Sequence, residues 1–155
     1  MTLPVILHSG EGQSVKIGTS NCTFKLTGKD THNHFGLFEY TLEPETEGPS
    51  PHIHKQMTEI FYVIEGELEL VLGEEKITAF PGTLMSVPEN TAHGFHNRSK
   101  KQSKFLIMFC PADSREQYFI GLSELRKDGR KPSREELLEL AAKFDQYPAS
   151  TASRK

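Results

Sequence analysis

GPSPHIHKQMTEIFYVIEG, Gly48 to Gly66, places two histidines, a glutamate and a closing glycine at spacings with a chemical meaning. His52 and His54 are one residue apart, so on an extended chain both imidazoles project to the same side. Pro49 and Pro51 favour extended backbone just before the pair. Glu59 follows five residues after His54, the opposite parity for an unbroken strand. A turn around residues 55–57 is therefore needed to swing its carboxylate back toward the histidines. An apolar strand and a Glu65-Gly66 turn complete the stretch.

A second segment, GTLMSVPENTAHGFHN over residues 82–97, supplies another imidazole. His93 follows a turn at Pro88-Glu89-Asn90, and alternation places Phe95 and Asn97 on its face with His96 opposite. His93 is the candidate ligand, and His96 is expected at solvent or at an interface. Three neutral nitrogens and one carboxylate suit a divalent first-row transition metal (Fe, Mn, Ni, Cu or Zn) and leave two positions of an octahedral ion open. With no thiolate in the set, it is not a structural zinc centre of the cysteine type. Phe61, Val63, Met85, Phe95 and Met108 are candidate apolar neighbours for the ligands. His32-Asn33-His34 repeats the His-x-His pattern but follows Gly28-Lys29-Asp30 with no acidic partner at a useful offset, and reads as a solvated loop.

The rest of the chain is a run of short strands followed by two helices. VKI (residues 15–17) and CTFKL (22–26) suit peripheral strands, and FGLFEYTLE (35–43) alternates with one phase slip, as a bulged strand would. IFYVI, ELELVL and KITAF, between Ile60 and Phe80, read as consecutive strands joined by tight turns. TLMSV and the strongly apolar KFLIMFCP (residues 104–111) follow. Beyond Pro111 the period changes: Tyr118, Phe119, Leu122 and Leu125 form a helical stripe over residues 114–126. Ser133 and Glu136 then form a capping box for a second helix carrying Leu137, Leu138, Leu140, Ala141 and Phe144 inward. Many short strands with glycine and proline turns indicate a mainly β antiparallel barrel or sandwich, on which helices too short to fold alone must dock. The expected organisation is a β-barrel over residues 1–112, a helical extension packed on it over 113–148, and a disordered tail over 149–155.

Composition narrows the function classes. The 155 residues carry a net charge of −3 with no basic run longer than the Lys100-Lys101 pair, which argues against nucleic acid as partner. Cys22 and Cys110 are the two cysteines, too few for a disulfide framework and consistent with a reducing compartment. No stretch approaches the length of a membrane span, and the first residues lack the pattern of a secretory leader, so a cytoplasmic protein is expected. With no tryptophan and ten phenylalanines, an aromatic pocket must be built mainly from Phe and Tyr.

The two segments resemble the paired motifs of the cupins. His52-x-His54, four residues, Glu59, six residues and Gly66 match the first motif, except that three residues instead of five separate Gly48 from His52. Gly82, five residues, Pro88-x-Asn90, two residues, His93, three residues and Asn97 match the second, with Asn90 in place of a glycine; Asn also tolerates the left-handed conformation. The resemblance implies a double-stranded β-helix, or jelly-roll barrel, and a metal held by His52, His54, Glu59 and His93. The tail, with its Tyr118-Phe119 pair and final amphipathic helix, is similar to small cupins labelled quercetin-dioxygenase-like. The implied function is a metal-dependent dioxygenase acting on a small enolic or aromatic substrate, with Glu59 both ligand and proton acceptor. The alternatives are a non-catalytic small-molecule binding or sensing cupin and a metal-dependent isomerase or decarboxylase. A homodimer is expected, because IFYVI is apolar on both faces and cupins commonly pair through sheet faces or swapped N-terminal strands. A DNA-binding cupin is disfavoured for want of room for a helix-turn-helix.

Overall fold

The computed structural model describes residues 3–149, and the tail expected to be disordered lies, apart from Ala149, outside them. The strands are β1 (Gln13–Ile17), β2 (Ser20–Leu26), β3 (Gly36–Leu42), β4 (Thr46–Glu47), β5 (His52–Ile53), β6 (Thr58–Glu65), β7 (Leu68–Leu72), β8 (Glu75–Ala79), β9 (Leu84–Val87), β10 (His93–Asn97) and β11 (Ser103–Cys110). Helices α1 (Arg115–Leu125) and α2 (Arg134–Ala142) follow, and a short β12 (Tyr147–Pro148) returns to the barrel.

Period-two alternation explains why these segments form two facing sheets. One runs β1-β2-β3-β11-β6-β9; the other runs β12-β5-β10-β7-β8, with β4 also paired to β10. Phe38, Tyr40 and Leu42 of β3, Phe61 and Val63 of β6, and Phe105, Ile107 and Phe109 of β11 point inward and are buried. Leu68, Leu70 and Phe95 meet them from the second sheet. This is the jelly-roll arrangement the motifs imply. Helix α1 closes one end: Phe119 packs edge-on against Phe38 with ring centroids 4.9 Å apart. Ser133 caps α2 through the reciprocal capping box, its hydroxyl accepting from the Glu136 N–H at 3.2 Å.

The motif residues that ligate nothing have structural work. Gly48 lies where β4 runs into the approach to β5, and a Cβ there would run into the Phe95 carbonyl of β10. Gly66 takes φ 72°, turning the chain out of β6 beside the Gln102 carbonyl. Asn90 takes φ 59°, the left-handed conformation it was expected to tolerate. The Asn97 amide lies within hydrogen-bonding distance of the Leu42, Glu43 and Lys101 carbonyls, tying the end of β10 to the loop after β3.

Several expectations are corrected. The phase slip assigned to residues 35–43 is absent: β3 alternates regularly, Leu37 faces outward, and the register shift lies in β2 between Phe24 and Leu26. IFYVI and ELELVL do not form a hairpin. The turn at residues 65–67 carries the chain from one sheet to the other, and only β7 and β8 pair directly. In α2, Leu138 is exposed rather than inward, because Ala141 and the half-buried Leu137 and Leu140 take the packed side. Cys22 and Cys110 are free thiols. No helix among the described residues is long and apolar enough to cross a membrane.

Candidate metal centre

The centre lies between the sheets. His52 stands on β5, directly opposite His93, the first residue of β10. His54 follows just past β5, and a bend at Lys55-Gln56 lets β6 bring Glu59 back from the other sheet. All four are buried, at 4, 2, 1 and 2% exposure for His52, His54, His93 and Glu59. One ligand atom from each lies within 4.8 Å of all the others. Glu59 Oε2 is 2.6 Å from His93 Nε2, 2.9 Å from His54 Nε2 and 3.9 Å from His52 Nε2.

The other ring nitrogens fix the tautomers. His52 Nδ1–H donates to the Ser50 carbonyl (2.9 Å), His54 to the Asp145 carbonyl (2.6 Å) and His93 to the Thr91 carbonyl (2.8 Å). A carbonyl only accepts, so each neutral ring carries its proton on Nδ1 and turns a bare Nε2 lone pair toward Glu59. Three lone pairs converging on a carboxylate repel one another unless a cation or extra protons stand among them. The donor set therefore fits a divalent metal ion.

The four groups also set one another's charge. Burial alone pushes the Glu59 carboxyl up, but its contacts with His52, His54 and His93 outweigh burial and hold it well below the usual carboxylate range. Burial likewise favours neutral His93, yet the Glu59 carboxylate overrides it and raises the His93 pKa. At His52, farther from the carboxylate, burial prevails and lowers the pKa.

A cavity of about 570 Å³ adjoins the centre, with His52 and Glu59 on its wall beside Tyr40, Phe95 and Phe109. Phe61 packs edge-on to His93 at 6.2 Å between centroids, as expected of an apolar neighbour, and Val63 is buried in the core. Met85 is partly buried against the core. Met108 is not a neighbour: it alternates to the outer face of β11, opposite Ile60.

His96 also departs from expectation. It is 8% exposed because β10 is flanked by β4 and β7, and its Nδ1 accepts the Gly48 N–H at 3.1 Å. Burial holds its pKa below the usual value, against the pull of the Glu47 carboxylate beside Nδ1. His32 and His34 sit in an exposed turn, as read from the composition, with His32 at φ 51° and Asn33 at φ 63°. Sequence reasoning passed over Asp145, Gln146 and Arg115. Asp145 supports His54 from 91 residues away, a distance at which spacing carries no signal. Arg115 was read only as part of a helix.

Comparison with known proteins bears on the fold and the site together. A family model for the cupin domain matches residues 38–109. The quercetin 2,3-dioxygenase of Bacillus subtilis (strain 168) is 31% identical over 101 residues, spanning 64% of this chain and 29% of that protein. A predicted oxalate decarboxylase from Thermotoga maritima superposes with a TM-score of 0.64 at 17% identity, over 69% of this chain and 99% of that one. The polyketide cyclase RemF from Streptomyces resistomycificus superposes at 0.61 and 22% identity, over 70% and 80% of the respective chains. At such identities these structures share the fold alone. With both motifs in place, the jelly roll formed and the domain model matched across the site, residues 38–109 form a cupin domain.

Proposed function

We propose that the chain is a metal-dependent dioxygenase acting on a small enolic or aromatic substrate, with His52, His54, Glu59 and His93 holding a divalent transition metal. The observation that carries the reading is the convergence of three Nε2 lone pairs on the Glu59 carboxylate beside an aromatic-walled cavity. The likeness to a quercetin 2,3-dioxygenase supports it for the matched 101 residues. A bound redox-active ion would supply activation of dioxygen and polarisation of substrate oxygens. The chain's own groups do the remainder. Tyr40, Phe95 and Phe109 offer ring faces to a planar substrate and exclude water. Glu59, on the cavity wall, offers a carboxylate oxygen to accept the enolic proton.

Metal analysis of protein purified without added metal, followed by oxygen uptake on a panel of enolic substrates, tests this. A redox-active ion at one per chain and substrate-dependent uptake are expected. A redox-inert ion, or no uptake by Fe-, Mn-, Ni- or Cu-loaded protein, would leave the binding, isomerase or decarboxylase readings. His93→Ala should abolish tight metal binding while His32→Ala leaves it intact; equal loss in both would put the metal elsewhere.

We also propose that two copies pair through the outer face of the sheet containing β6, where Ile60, Tyr62 and Ile64 point away from the core. The two free thiols suit a reducing, cytoplasmic setting.

A further inference from the structure

Arg115 opens α1 and is 2% exposed, yet it stands on the wall of the cavity that holds His52 and Glu59. Its guanidinium sits over two rings, 4.4 Å from the centroid of Phe109 and 4.0 Å from that of Tyr118. Phe109 in turn packs edge-on against His54, so the cation is one ring removed from the candidate metal centre. Nη1 donates to the Phe144 carbonyl at 2.9 Å and Nη2 to the Gln146 side-chain oxygen. Gln146 is itself held, its amide donating to the Tyr118 hydroxyl at 3.1 Å.

Both acceptors are neutral. Nε makes no hydrogen bond, and among the described residues Glu59 and Asp145 act on the guanidinium through space without pairing with it. A guanidinium keeps its charge in a protein, and burying one without a counter-ion is costly. Such a group beside a cavity is suited to receive an anion.

We propose that Arg115 is the carboxylate receptor of this cavity, and that the substrate is an organic acid, enolic or hydroxylated aromatic. Its carboxylate lies against the guanidinium while its neighbouring oxygen faces His52, His54, Glu59 and His93. The proposal rests on the metal-centre reading above and adds the substrate's charge. A buried cation favours the acid over its neutral amide, because the amide leaves the charge uncompensated. Were Arg115 only a staple for the segment of Phe144 and Gln146, replacing it would leave the preference between acid and amide where it was.

The test uses the full chain as purified, with metal content measured on the same sample, and salicylate and salicylamide as probes in calorimetric titrations. Salicylate should bind about tenfold tighter or better. Arg115→Gln should abolish that preference while retaining the salicylamide affinity, and Arg115→Lys should restore part of it. Should Arg115→Gln fail to fold, the Nε–Hε resonance of Arg115 in the unaltered protein gives the answer: it should shift on saturation with salicylate and stay put with salicylamide. Equal affinities, no binding of either probe, or an unmoved resonance overturns the proposal. A sample that takes up no metal on loading yet still prefers salicylate keeps the role of Arg115 and sinks the metal reading. A metal-loaded sample indifferent to charge does the reverse.

Discussion

At the scale of single residues, the centre is decided by where each imidazole keeps its proton. With Nδ1 of His52, His54 and His93 committed to backbone carbonyls, any further proton must sit on Nε2, where the metal would bind. In the metal-free protein that proton favours His93, whose pKa the Glu59 carboxylate raises above the usual histidine value of about 6.5. Above that raised pKa His93 is neutral and free to bind; below it, a proton must leave first. Metal affinity should therefore begin to fall while the pH is still above about 6.5, by about tenfold per pH unit for each proton displaced. Titration calorimetry in buffers of different ionisation enthalpy checks this, and pH-independent affinity between 5 and 8 would contradict it. The grouping of His52, His54, Glu59 and His93 was legible in the sequence because each lies close to another of the four or to a turn that fixes its face. Their supports were not: the Ser50, Thr91 and Asp145 carbonyls belong to the backbone and leave no mark on residue choice. The burial of Arg115 was equally hidden, since one arginine at the start of a helix looks like any other.

Among the elements, the C-terminal segment contributes more than cover. Asp145, at φ 56°, accepts the Gln56 N–H at 2.8 Å and the Lys55 N–H at 3.0 Å, while its own carbonyl holds His54. Two residues on, Tyr147 pairs with Ile53 and extends the sheet that carries His52. The helical extension thus braces the bend between the His-x-His pair and Glu59. Asp145→Ala should cost about 1–2 kcal/mol of stability, since its bonds are partly solvated, and lower metal affinity about tenfold by loosening His54. Ser133→Ala is the matching control. Removing that cap should cost about 1 kcal/mol in urea unfolding without altering metal affinity, because Ser133 touches nothing at the centre. The sequence revealed the helices, the capping box and nearly every strand, each being a local pattern. It misled on how strands are shared between sheets: the turn after β6 has hairpin composition, yet pairing with β11 and β9 keeps β6 in one sheet while β10 claims β7 for the other.

For the whole molecule, the outer face of the sheet containing β6 sets the expected assembly. The sequence had marked IFYVI as apolar on both faces, and the structure divides it into fully buried Phe61 and Val63 and outward Ile60, Tyr62 and Ile64. Tyr62 is 42% exposed, and its cross-strand neighbours are Leu84, 62% exposed, and Leu106. Met108 and Leu37 continue the same face along β11 and β3. Apolar residues adjoining across four strands are an unusual surface for an isolated domain and suit a self-complementary contact. Tyr62→Glu with Leu84→Glu puts two like charges at the centre of that contact in each copy, four across the pair, while leaving the inward residues untouched. Sedimentation velocity should show the unaltered protein as a dimer and the double variant as a monomer. Both should keep the same metal content, since the centre opens between the sheets and not onto this face. A double variant that remains dimeric would move the interface elsewhere, and an unaltered protein that sediments as a monomer at high micromolar concentration would remove it.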